Sequence, residues 1–195
     1  MKREEQLNAM QQYVKELFKL DVTGHDFYHM KRVAVMAKFI AEYEHADEFL
    51  CEAAAWLHDI GDYKLFQQPK QVLEEMNQFL KNISLSDNEI EMINDIIQNI
   101  SFSKGNIPET LEGRIVQDAD RLDAIGAVGI ARTFAYGGAN GQFIYNEIPQ
   151  DTSIQHFYDK LLRLKDQMNT EKAKEIATDR HQFMEQFLEQ FHREW

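Results

Sequence analysis

Cysteine is almost absent: Cys51 is the only one in 195 residues, so no intramolecular disulfide can form. That fits a reducing compartment. With Ala54 and Ala55 beside it, Cys51 reads as a small buried hydrophobe rather than a nucleophile. No uninterrupted apolar run reaches the roughly 18–20 residues needed to span a bilayer, which excludes a transmembrane helix. The opening residues, M-K-R-E-E-Q-L-N, lack the apolar stretch of a signal peptide, and the expected location is the cytoplasm. Positive charge is also scarce. A formal net charge of -12 argues against a sequence-independent grip on nucleic acid, which needs clustered Lys and Arg to neutralise phosphates. A small phosphorylated ligand stays compatible, because a bound cation reverses the local potential of an acidic site.

Strand-like alternation is missing too, and helical periodicity dominates. Residues 3–20 place Met10, Tyr13, Val14, Leu17 and Phe18 on one face. A second helix is predicted from Asp26 to Tyr43, with Met30, Val33, Ala37 and Ile40 inward. A third opens at Asp47 as N-cap and runs to a stop at Gly61. Pro69 suits the first turn of a fourth, and Ser86-Asp87-Asn88-Glu89 is a capping-box pattern opening a fifth. After a loop with Gly105 and Pro108, one long helix is expected over residues 111–134, with Gly126 and Gly129 inside it as close-packing positions. The stretch Ala135 to Gly141 reads as a loop. It is not a phosphate-binding P-loop, since no G-K-[ST] follows and no strand precedes it. Two further helices close the chain, the last stacking Phe183, Phe187 and Phe191 as core or as the surface of a homodimer. The expected architecture is an all-α helical bundle forming a single domain over residues 1–195, its centre at about 20–135 with helices from about 153–195 packed on it.

Chemistry concentrates in three places. His58-Asp59 ends an apolar helix, His29 lies upstream in G-H-D-F-Y-H-M-K-R-V, and D-A-D-R-L-D spans Asp118 to Asp123. On an ideal helix, adjacent side chains point about 100° apart, so His58 and Asp59 can share one ion only near a helix end. A histidine and a carboxylate buried among Ala53, Ala54, Ala55, Trp56 and Leu57 are costly without a partner or a metal. Two imidazoles with two carboxylates, one from the acidic cluster, suit a divalent Mn, Fe, Ni, Zn or Co. Such a metal makes a hydroxide nucleophile available near neutral pH. A helix-terminating ion pair is the structural alternative. His25 and Arg32 flank His29 at helical spacing.

The motifs H-x-x-R-V at His29 to Val33, H-D at His58-Asp59 and A-D-R-L-D at Ala119 to Asp123, in that order, resemble the HD-domain phosphohydrolase superfamily. Weaker likeness to its small stand-alone bacterial members extends through His156 to Leu162 and Thr178 to Met184. The resemblance implies a helical bundle with one divalent metal held by His29, His58, Asp59 and Asp120. It favours Mn, with Mg, Ni, Co, Fe or Zn as alternatives. Asp118 and Asp123 compete with Asp120; Asp118 lies about 200° around the helix from it. Asp123 is read as a substrate contact or as an ion pair, with Arg121 the candidate partner. Asp62 takes the position of an acid that orients the attacking water, and Asp26 is a candidate for orienting a ligand histidine. Arg32 and Lys64 are local cations for phosphate, Lys64 also serving as a catalytic candidate. His156 and Lys160, four apart, would present one helical face to phosphate, while Arg180-His181 could pin the last helix. No histidine lies between His58 and His156, which favours one metal over two.

The implied activity is metal-dependent phosphohydrolysis of a small nucleotide, with nucleoside or deoxynucleoside triphosphates cleaved to monophosphate and pyrophosphate as the favoured case. Two alternatives remain: a nucleotide phosphomonoesterase, and a non-catalytic nucleotide-sensing module.

Overall fold

Several helix starts in this chain are set by side chains that satisfy the first free backbone N–H groups. The computed structural model describes residues 1–19, 24–100, 107–147 and 151–195, and these hold helices and turns with no strand among them. The helices are α1 (Arg3–Leu17), α2 (Phe27–Glu44), α3 (Glu48–Leu57), α4 (Pro69–Asn82), α5 (Asp87–Asn99), α6 (Leu111–Asp123), α7 (Gly126–Ala139), α8 (Ser153–Asp159) and α9 (Glu171–Glu194). A 3-10 helix over Leu161–Gln167 separates the last two. Asp26 and Asp47 cap α2 and α3 by accepting from the backbone N–H groups of His29 and Leu50. Ser86 and Glu89 close the expected capping box: Ser86 Oγ accepts from Glu89 N at 3.3 Å, and Glu89 Oε2 accepts from Ser86 N at 2.8 Å. The predicted loop residue Gly105 lies outside the described residues.

The chain forms two compact units, Met1–Ala119 and Asp120–Trp195, with the boundary inside α6. In the first, α3 packs against α2, α1 and α5. An element flanked on so many sides must be apolar nearly all round, and Leu50, Cys51, Ala53, Ala54, Ala55, Trp56 and Leu57 are all buried. Small alanines let the neighbouring backbones come close at no side-chain entropy cost. Gln6 of α1 is the one polar residue buried within its helix. Its Nε2 donates to the carbonyls of Ile83 and Ser84, 3.1 Å each, just past the end of α4. Those carbonyls would otherwise lack a helical partner.

In the second unit, α9 packs on α7 and on the 3-10 helix. Phe134, Phe157 and Phe187 make an aromatic cluster with ring centroids 5.8, 5.9 and 6.1 Å apart. Phe191 continues it, while Phe183 is half exposed at 49%. The expected aromatic stripe therefore divides, two rings inward and one outward.

Two expectations need correction. The long helix over 111–134 is broken: α6 ends at Asp123 and α7 starts at Gly126. Gly126 adopts φ 78°, left-handed backbone that side chains with a Cβ disfavour, and the stem of Arg180 lies 3.0 Å from where that Cβ would sit. The Ala135–Gly141 stretch is no loop as far as Ala139, because α7 carries its helix through Gly137 and Gly138. Lys160 follows His156 by one turn, its backbone N–H donating to the His156 carbonyl at 3.0 Å. It is the C-cap of α8, with φ -133°, so the two side chains leave different backbone geometries.

Two consequences follow for stability and reactivity. Gln6→Leu leaves two carbonyls without their donor and should cost about 1–3 kcal/mol in urea unfolding; an unchanged midpoint would contradict this role. Burial, followed by the charges of Glu112, Asp47 and Glu48, pushes the Cys51 thiol far above its ordinary pKa. The native protein at pH 8 should therefore resist thiol-specific labelling that goes to completion in denaturant.

Candidate metal centre

The centre begins where α3 stops. Regular helix ends at Leu57, earlier than the expected stop at Gly61, and His58 is its C-cap. Ile60 and Asp62 donate back to the carbonyls of Leu57 and Asp59 in successive turns. Gly61 adopts φ 85°, and an added Cβ would fall 2.6 Å from Leu73 Cγ, so glycine is required to close this turn. The chain thereby leaves the helix axis as it presents His58 and Asp59, which is how two adjacent side chains come to face one another. Nε2 of His58 stands 3.4 Å from Oδ1 of Asp59.

From α2, His29 brings its Nε2 to 3.5 Å from Oδ2 of Asp59, with only 1% of its side chain exposed. The His29 and His58 ring centroids are 5.1 Å apart. His25, just ahead of the N-cap, donates from Nδ1 to the same Oδ2 at 2.7 Å. One carboxylate is thus addressed by three imidazoles. Burial by itself would raise the Asp59 pKa. The electrostatic influence of the His58 imidazole, with the contacts of His25 and His29, outweighs burial and holds the carboxyl well below the usual range.

Proton positions test whether these residues suit a metal. The Ala55 carbonyl can only accept, so its 2.8 Å contact with His58 Nδ1 puts a proton on that nitrogen. Neutral His58 then turns an Nε2 lone pair toward an ionised carboxylate oxygen. Two such acceptors at 3.4 Å call for a cation between them, either a proton on Nε2 or a metal ion. The buried nitrogen and oxygen donors are those that divalent first-row metals take. Within the first unit, His25, His29 and Asp59 have ligand atoms within 4.8 Å of one another and could hold an ion. Asp120 is half buried in α6, whereas its competitor Asp118 is fully buried.

The other candidates are placed as follows. Asp62 is half buried, its Oδ1 accepting from the backbone N–H of Lys64 at 2.7 Å. Lys64 is exposed, with Nζ 5.7 Å from the Tyr63 ring centroid. Arg32 is half buried on α2. Asp26, expected to orient a ligand histidine, accepts through Oδ1 from the backbone N–H of His29 at 2.8 Å and so caps α2. In the second unit Asp123 is buried and paired with Arg132, while Arg121 donates to the Gln167 carbonyl. His156 is half buried, and burial, with the nearby charge of Lys160, lowers its pKa. Arg180 donates to the Leu122 carbonyl and so ties α9 to the end of α6, as a pinning role requires.

The model of the HD domain matches residues 26–125. The chain belongs to the HD-domain family. Its all-α fold is that of this family, and membership supports a hydrolase role. YpgQ of Bacillus subtilis strain 168 is 40% identical over 198 residues, covering 100% of this chain and 96% of the relative. The crystal structure of B. subtilis YpgQ in complex with ADP aligns with TM-score 0.85 and 39% identity, over 96% of this chain and 97% of that one. An HD-superfamily hydrolase from Bacillus thuringiensis aligns with TM-score 0.84 and 43% identity, over 100% and 98%. No helix among the described residues is long and apolar enough to cross a membrane.

A cation held between the imidazoles and Asp59 should stabilise the native chain. Mn2+ at 100 times its dissociation constant should add about 2.7 kcal/mol, seen as a higher Tm that a chelator reverses. Asp59→Ala should abolish the shift. No shift in the wild type would remove the metal reading.

Proposed function

We propose that this HD-domain protein is a metal-dependent phosphohydrolase of small nucleotides, cleaving nucleoside or deoxynucleoside triphosphates to monophosphate and pyrophosphate. The observation that carries the reading is the buried Asp59 carboxylate addressed by the imidazoles of His25, His29 and His58. A relative crystallised with ADP supports a nucleotide as the ligand class. Under this reading His29, His58, Asp59 and Asp120 hold one divalent ion, with Mn the favoured metal. Such an ion supplies Lewis acidity toward water and toward a phosphoryl oxygen.

The chain's own groups do the rest. Asp62 is fixed through Oδ1 by the Lys64 backbone and aligns the attacking water as an acceptor for its proton. Holding that carboxylate in one turn lowers the entropic cost of positioning water for in-line attack. Arg32 and Lys64 neutralise charge on the transferring group, where positioned cations contribute most of the rate. Lys64 is exposed, so its ammonium can meet phosphate from solvent. His156 and Lys160, whose charges act on one another, are further phosphate contacts in this proposal.

Incubating purified protein with the eight common nucleoside and deoxynucleoside triphosphates and Mn2+, then identifying products by mass, tests it directly. Monophosphate plus pyrophosphate is expected, with His58→Ala and Asp59→Ala each slower by at least about 100-fold. Orthophosphate without pyrophosphate would replace the reading with a phosphomonoesterase. Tight nucleotide binding without turnover would replace it with a binding module.

A further inference from the structure

His25 has no part in the ligand set proposed above, yet it makes the shortest contact to Asp59. Its Nδ1 lies 2.7 Å from Oδ2, whereas His29 and His58 stand 3.5 and 3.4 Å from the two carboxylate oxygens. An ionised carboxylate only accepts, so the proton of this bond sits on Nδ1 of His25. The bond occupies one oxygen of Asp59 from outside and leaves Oδ1 turned toward His58. His25 is itself held by local backbone geometry. Gly24 adopts φ 96°, Asp26 caps α2, and the His25 ring meets that of His29 edge-on with centroids 5.5 Å apart. The bend that starts α2 therefore delivers His25 to one side of the carboxylate and His29 to another. About 40% of the His25 side chain is exposed, so burial does not explain its place.

We propose that His25 is a positioning residue: by donating from Nδ1 to Oδ2 it fixes the rotation of the Asp59 carboxylate, so that Oδ1 is presented to the divalent ion. This rests on the metal reading above. Outer hydrogen bonds to metal-binding groups commonly govern affinity by 10–100-fold, and here the outer donor is an imidazole acting on a carboxylate. It makes a specific claim about one nitrogen. The amide nitrogen of asparagine can occupy the place of His Nδ1 but has no counterpart of Nε2.

The test is Mn2+ binding to the full chain, followed by the paramagnetic resonance of free and bound ion, with circular dichroism as a folding control. Wild type should bind one ion. His25→Ala should weaken binding about 10–100-fold and broaden the bound-ion spectrum, and His25→Asn should restore affinity to within about threefold of wild type, by the same donor argument. Unchanged affinity in His25→Ala overturns the proposal while leaving the metal reading intact. Equal loss in both folded variants, or a second ion per chain that disappears with His25, would make His25 a ligand and also overturn it. Wild type that binds no ion, with His58→Ala and Asp59→Ala indistinguishable from it, removes the metal reading and this inference together.

Discussion

The structure depends on keeping an ionised carboxylate inside a helical core. Asp59 has 13% of its side chain exposed, and a charge taken that far from water is unfavourable by several kcal/mol unless partners replace the lost hydration. Three imidazoles from two segments supply them. The same partners keep the carboxylate deprotonated, which is the form that binds a cation. Stability and metal chemistry are therefore two aspects of one arrangement, and disturbing either disturbs the other.

Much of the first unit can be understood as scaffolding for that arrangement. The alanines of α3 let α2 approach closely enough for His29 to reach a group beyond the end of α3. Asp26 caps α2 and thereby sets which residue occupies the first inward position. Gly61 closes the turn that takes His58 and Asp59 off the helix axis. None of these residues touches an ion in the proposed set, yet each determines an angle or a distance within it.

How legible the site was in advance varied with how local each determinant is. Asp47, Pro69 and Ser86 act within one helical turn, and the helices start where those residues predict. The spacing and order of His29, His58-Asp59 and the A-D-R-L-D segment pointed to the HD-domain family, which the comparison with known proteins bears out. Partners separated by breaks in regular structure were harder to see. Asp123 pairs with Arg132, nine residues away across the Gly126 break, whereas the sequence reading named the nearby Arg121 as candidate partner. Reading Gly126 as a packing position inside one helix missed its positive φ, which is what divides α6 from α7.

The sequence by itself determined the helical class, the caps, the buried character of α3 and the family, because each follows from residue type at short range or from motif order. Only the tertiary structure decided which nitrogen faces which oxygen around Asp59, and that His25 joins His29 and His58 there. The physical reason is that hydrogen-bond geometry depends on tenths of an ångström between segments far apart in the chain. Those separations are set by packing, which the pattern of residue types leaves open.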